Sequence, residues 1–182
     1  MSAEPSVWRT RASRLVHADK WIRLRADDCV RADGVEIAPY YVLEYPDWVQ
    51  VVAITDDERI VVVRQYRHGV GRVTRELPAG CMDASDADAC AAGARELLEE
   101  TGYACSTLRQ VGASFVDPAH CTNRVFILLG EGARRVRDPR PDATEEIVVE
   151  TMTVADVVAA ARAGDLHHAT QVASLFLALG AR

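Results

Sequence analysis

The chain has 182 residues, 49% of them hydrophobic and 26% charged, with a formal net charge of −6. That length holds one domain, or one domain with a small extension, and that composition builds a core, which excludes a disordered chain. The negative charge excludes a general nucleic-acid or membrane-surface binder, and an acidic protein that handles an anionic ligand needs metal and local arginines to offset the repulsion.

Residues 1 to about 12 are polar and are expected to fray. From Ser13 to Leu43 the pattern is strand-like: Trp21, Ile22 and Leu24 alternate roughly with arginines, Ala32-Asp33-Gly34 reads as a hairpin turn, and Ile37, Tyr40, Tyr41, Val42 and Leu43 follow. Residues 1–45 are therefore expected to form a small antiparallel β unit. A sheet of that size is marginal by itself, so it should pack on the main domain or on a second subunit.

Tyr45-Pro46-Asp47 breaks the chain, and residues 46–182 read as one larger domain. Trp48–Thr55 and Ile60–Tyr66 form a predicted hairpin across Asp56-Asp57-Glu58-Arg59. Val73–Leu77 is a short strand ending at Pro78-Ala79-Gly80, and residues 81–88 are a polar loop. Ala89–Thr101 reads as a helix, rich in alanine and leucine and stopped by Gly102. Gly93 within it costs up to about 1 kcal/mol relative to alanine, a cost that close packing against a strand offsets. Leu108–Val116, Val125–Leu129 and Ile147–Met152 read as strands. Residues 130–144, with Arg134, Arg135, Arg137 and Arg140, read as a solvated loop. Val154–Ala163 is an amphipathic helix that Thr153 caps, and Ala169–Leu179 is an apolar final helix. The alternation predicts an α/β sandwich around a mixed sheet.

Five cysteines (Cys29, Cys81, Cys90, Cys105, Cys121) lack CxxC spacing, which fits reduced thiols in a cytoplasmic protein. Met1-Ser2-Ala3-Glu4-Pro5 has no basic start followed by an apolar run, so no secretory signal is expected, and no apolar stretch is long enough to span a bilayer. His68, His120, His167 and His168 show no metal-ligand spacing with the acidic residues.

The chemistry concentrates at the end of the first predicted helix, Arg95-Glu96-Leu97-Leu98-Glu99-Glu100-Thr101-Gly102. Residues three and four apart are helix neighbours, so Glu96, Glu99 and Glu100 share one side and repel. Two readings stand open on spacing alone: a site for a hard divalent cation, which takes oxygen ligands, and a solvated acidic face.

From Gly80 to Tyr103 the chain resembles the Nudix hydrolases. The second half of their box, Arg-Glu-aliphatic-x-Glu-Glu-x-Gly, is matched by Arg95 to Gly102. The first half departs: Gly80 to Arg95 is one residue longer than the family spacing. The box's first glutamate is replaced by Asp86 counted from Gly80, or by Ala87 counted from Arg95. Arg64-Gln65-Tyr66-Arg67, Glu76-Leu77-Pro78-Ala79-Gly80, Pro118 and the strand-rich start are similar to the ADP-ribose pyrophosphatase branch. The resemblance covers roughly residues 35 to 180.

It implies a Nudix-type α/β/α sandwich and a metal-dependent pyrophosphatase acting on a nucleoside diphosphate sugar, with ADP-ribose giving AMP and ribose 5-phosphate. Another nucleotide sugar or a dinucleotide, or a non-catalytic nucleotide-sugar sensor, are the alternatives. Glu96, Glu99, Glu100 and the carbonyl of Ala79 would ligate Mg2+ (or Mn2+), with Arg95 orienting the glutamates. Glu145 and Glu146 are the candidates for the base that positions the attacking water, Glu146 being favoured because it directly precedes a strand. Arg64 and Arg67 are candidate phosphate contacts. Glu76 binds substrate or holds an arginine, and Trp48 or Tyr41 stacks on a base. A homodimer formed through the first unit is also implied.

Overall fold

The computed structural model describes residues 4–182, and the chain divides into two compact units. One contains the described residues up to Pro46 together with Phe115–Asn123, and the other contains Asp47–Ser114 with Arg124–Arg182. The excursion at 115–123 is a feature that the reading in linear order did not assign to the first unit.

The first unit is a three-stranded antiparallel sheet, β1 (Arg9–Ala18), β2 (Arg23–Val30) and β3 (Glu36–Leu43), in that spatial order. The expectation of frayed residues to about 12 is corrected: β1 begins at Arg9, pairing with Val30, while Met1–Ala3 lie outside the described residues. Asp19 makes the first turn, accepting the Trp21 and Ile22 amides at 2.7 and 2.9 Å. Gly34 makes the second with φ 87°, a left-handed conformation that glycine adopts without steric cost. Leu43 bridges to Cys121, which ties the 115–123 excursion to the edge of this sheet.

The second unit is a mixed sheet. Its path runs β11 (Val148–Thr153), β5 (Arg59–Arg67), β4 (Trp48–Thr55), β10 (Arg124–Arg135), β8 (Tyr103–Ala104), with β6 (Arg72–Glu76) on β5, β7 (Ala79–Cys81) on β4 and β9 (Thr107–Phe115) on β10. The β4–β10 pairing is parallel, while the other pairings with given direction are antiparallel. β4 and β5 read as near-continuous apolar runs because both faces are covered. Val49, Val51, Ala53 and Val61 pack with Ala89, Ala92 and Leu97 of α1 (Ala89–Thr101). Val52, Ile54, Ile60 and Val62 pack with Val157 of α2 (Val154–Ala163) and Leu175 of α3 (Ala169–Gly180). The result is the expected α/β/α arrangement. Gly93 packs as anticipated: a Cβ there would fall 2.1 Å from Leu128 Cδ1.

Three local expectations are corrected. Ala79–Cys81 is a strand rather than the end of a turn, because it finds a partner in Trp48–Gln50. Tyr103–Ala104 adds a two-residue strand. Residues 130–135 continue β10 rather than starting a loop, with a register shift near Gly132, so Arg134 and Arg135 are strand residues. Among the described residues no helix is long and apolar enough to cross a membrane, and all five cysteines are free.

Candidate active site

The site is built on the last two turns of α1. Asp88 opens that helix, its carboxylate accepting the Ala91 amide at 2.8 Å. Gly102 closes it at φ 74°, donating its amide to Leu98. A side chain at Gly102 would also collide with the Arg137 carbonyl, 2.2 Å from a Cβ placed there. Segment 136–140 therefore lies directly on the helix end, stitched by Val136 N–H to Gly102 O (2.9 Å) and Arg140 N–H to Glu99 O (2.7 Å).

Arg95 organises the carboxylates. Its Nη1 donates to Glu96 at 2.8 Å and to Glu99 at 3.2 Å, and its Nε and Nη2 grip Asp86 at 3.1 and 2.9 Å. Nη2 also donates to the Cys81 carbonyl at 3.0 Å. The Asp86 side chain is buried and its second oxygen accepts the Asp83 amide at 2.8 Å. Bonds from Arg95 and the Asp83 amide hold its carboxyl below the ordinary range. Counting from Gly80 thus finds the acid that the box requires, and the extra residue falls after Asp86. The shorter side chain still reaches the guanidinium in a fork-on-fork pair.

Glu96 faces Gly80 so closely that a Cβ there would lie 2.2 Å from its carboxylate. Glu100 is buried, and its carboxylate accepts the Ala79 amide at 3.0 Å. Burial pushes Glu100 well above the usual carboxylate range. The Ala79 N–H opposes that, Glu96 and Glu145 add to it, and Arg67 offsets a part. Glu96 is raised by burial too, with Arg95 opposing and Glu99 and Glu145 adding to the shift. A group of carboxylates held at that electrostatic cost is short of positive charge.

The donor set is all oxygen, which fits a hard divalent cation. The glycine cradle at Gly80 and the thinly partnered Glu100 fit it as well. Among the described residues no three such side chains are already gathered about one point as a metal cluster; Glu96 and Glu99 are turned to Arg95 instead.

The structure separates several residues that the sequence grouped. Arg67 sits with the carboxylates: its charge acts on Glu100 and is acted on by Glu100 and Glu145. Glu76 holds it in a bidentate pair, Nε to Oε1 at 2.8 Å and Nη2 to Oε2 at 2.7 Å. Of the two roles considered for Glu76, the geometry carries that of holding an arginine, since its buried carboxylate is spent on Arg67 and Thr74. Arg64, a candidate phosphate contact alongside Arg67, is placed apart from it. Three residues apart on a strand, the two face opposite sides, and Arg64 pairs with Glu150 at 2.7 Å. Strand alternation could have found this. Trp48 lies edge-on to His168, ring centroids 6.3 Å apart, and Tyr41 belongs to the other unit. Of the two late glutamates, Glu145 is the one whose charge adds to the upward shift of Glu96 and Glu100. Its carboxylate accepts the Asp142 amide at 3.1 Å. Thr74 and Gln171, both buried beside Glu76, had no sequence signal at all.

Residues 8–43 match the nucleoside diphosphate sugar hydrolase N-terminal domain, and residues 45–174 match the NUDIX domain. An ADP-ribose pyrophosphatase of Mycobacterium tuberculosis is 35% identical over 155 residues, 85% of this chain and 73% of that protein. One of Bacillus subtilis is 30% identical over 146 residues, 80% of this chain and 77% of that protein. A solved structure described as an ADP compounds hydrolase superposes with a TM-score of 0.86 over 98% of this chain and 96% of that one, at 19% identity, which speaks to the fold. With the box on α1, the carboxylates around Arg95 and a domain match across most of its length, the chain belongs to the Nudix hydrolase family.

Proposed function

We propose that the chain hydrolyses the pyrophosphate bond of a nucleoside diphosphate sugar with Mg2+ (or Mn2+), converting ADP-ribose to AMP and ribose 5-phosphate. The observation that carries this reading is the acidic end of α1, where Arg95 bonds Glu96 and Glu99 and the buried Glu100 accepts the Ala79 amide beside Gly80. The ADP-ribose pyrophosphatases named above support the choice of substrate.

In this reading Glu96, Glu99, Glu100 and the Ala79 carbonyl hold the ion, and Arg95 sets the glutamate orientations. A bound divalent ion supplies Lewis acidity toward the phosphoryl oxygens and lowers the pKa of water. Arg67, aimed by Glu76, binds the diphosphate. Glu145 orients the attacking water and takes its proton, and Trp48 stacks on the base or ribose end. Water adds across one P–O bond, so each product leaves as a monophosphate. We propose further that residues 1–45 dimerise two copies of the chain. β1 is an edge strand with every residue exposed, and Trp8, Leu15, Val16 and Trp21 are large exposed side chains in this unit. A monomer mass by light scattering at micromolar concentration would overturn the dimer. A cytoplasmic location is consistent with five free cysteines.

The test of the activity is a panel of ADP-ribose, other nucleotide sugars and dinucleotides with Mg2+ in 18O water. AMP and ribose 5-phosphate, one of them carrying a single 18O, are expected from ADP-ribose. Binding of these nucleotides without turnover of any diphosphate overturns the enzyme reading and favours a sensor.

A further inference from the structure

The Glu76 carboxylate is buried, and two of its bonding partners are themselves buried and fixed. Thr74 Oγ1 donates to Oε1 at 2.5 Å, and Gln171 Nε2 lies 3.4 Å from Oε2. Gln171, 95 residues away on α3, is 1% exposed. Its own Oε1 accepts the Leu77 amide at 2.7 Å, and its Nε2 also lies 3.4 Å from the Leu77 carbonyl. The carboxamide is thus locked to the main chain beside Glu76 and cannot rotate away without stranding a buried amide. Thr74 is anchored as well, its main chain paired with Gln65 in the β5–β6 ladder. The remaining capacity of Glu76 goes to the fork of Arg67, whose side chain is half exposed. A long arginine on a strand end has many rotamers, and fixing it costs side-chain entropy. A rigid carboxylate beneath it removes that cost before any ligand arrives.

We propose that Thr74 and Gln171 are positioning residues that immobilise Glu76 and thereby aim the Arg67 guanidinium toward Glu100 and Glu145. The link makes α3 part of the diphosphate-binding apparatus, although neither residue touches the reacting atoms. It rests on the function proposed above, in which Arg67 meets the diphosphate.

The experiment compares Gln171→Met and Thr74→Val, each alone and with Arg67→Ala, for ADP-ribose hydrolysis in Mg2+. Each single variant should raise KM about five- to twentyfold and change kcat by less than about threefold, and that increment should vanish in the Arg67→Ala background, because the effect passes through Arg67. An equal rise in KM with and without Arg67, or unchanged KM in both single variants, overturns the proposal; a merely structural role gives the first result. The Nε–H resonance of Arg67 in a 15N spectrum decides the matter without turnover. It should be slow to exchange in the native protein and broaden or average in either variant, and an unchanged resonance in both overturns the clamp. Failure of the native protein to cleave ADP-ribose would strike the proposed substrate and leave the spectrum to judge the clamp. If Gln171→Met does not fold, Thr74→Val, which exchanges a hydroxyl for a methyl, carries both readouts.

Discussion

Replacing Gly80 with alanine separates the proposed metal-binding role of Glu96 from its contribution to stability. The added methyl would fall 2.2 Å from Cδ and Oε1 of Glu96 and 2.5 Å from Oε2, where carbon contacts sit at about 3.5–4.0 Å. More than about an ångström of movement is needed. The backbones cannot supply it: Gly80 is paired with Val49 in the sheet, and Glu96 lies inside α1. The carboxylate is the free end, so it swings away and gives up its 2.8 Å bond to Arg95. That partly exposed pair is worth less than about 1 kcal/mol, and moving Glu96 away also relieves its repulsion of Glu100. The melting temperature should change by no more than about 3 °C. Activity should suffer far more. Loss of one charged ligand weakens Mg2+ binding about ten- to hundredfold, at about 1.4 kcal/mol per factor of ten. The assay is the initial rate of ADP-ribose hydrolysis against Mg2+ concentration, beside a thermal melt. An unchanged Mg2+ midpoint with unchanged kcat would refute the placement of Glu96 in the metal site. A large drop in melting temperature would refute the claim that only the carboxylate yields.

Glu100→Gln should lower kcat by at least about two orders of magnitude if the buried carboxylate holds the ion as proposed; near-native turnover would remove the assignment. Glu145→Gln should cost about 10²–10³ in kcat, and Glu146→Gln less than about fivefold. The reverse order in single-turnover rates would return the role to Glu146. Asp47→Asn tests a structural pair. Burial alone would raise the Asp47 carboxyl, but the side chain and amide of Arg124, at 2.8 and 2.7 Å, outweigh it and hold the group below its ordinary value of 3.8. A depressed carboxyl contributes stability above the unfolded value and loses it as the pH falls through the folded one. Denaturant unfolding should therefore show Asp47→Asn less stable by about 0.5–1 kcal/mol at pH 7, the pair being partly screened by solvent. The gap should close as the pH falls through the depressed folded value, and a gap that persists below that value would contradict the linkage.

Much of the fold was legible because its signals are local. The α1 limits follow from an alanine- and leucine-rich run between Asp88 and Gly102, and α2 starts where Thr153 accepts the Asp156 amide. The β4–β5 hairpin announced itself in two apolar runs around a polar turn. The shorter strands were missed for the opposite reason. Ala79–Cys81 and Tyr103–Ala104 have too few residues to show a pattern, and they are strands only because a neighbouring edge pairs with them. The extension of β10 past Gly130 was hidden by glycines, which read as loop although the sheet continues through them.

The candidate site divides along the same line. Three glutamates and an arginine on one helix face are a consequence of helical spacing, so the sequence alone determined them, together with the Nudix resemblance they carry. It also contained the alternation that places Arg64 and Arg67 on opposite faces of β5. Tertiary structure alone decided which distant groups complete the site. Asp86 answers Arg95 because the loop folds back on the helix, and segment 136–140 docks on the helix end at Glu99 and Gly102. Gln171 reaches Leu77 because α3 packs across the sheet. Such partners lie up to 95 residues apart, and no local propensity or period encodes a contact that depends on the order of strands in a sheet and the closing of loops over it.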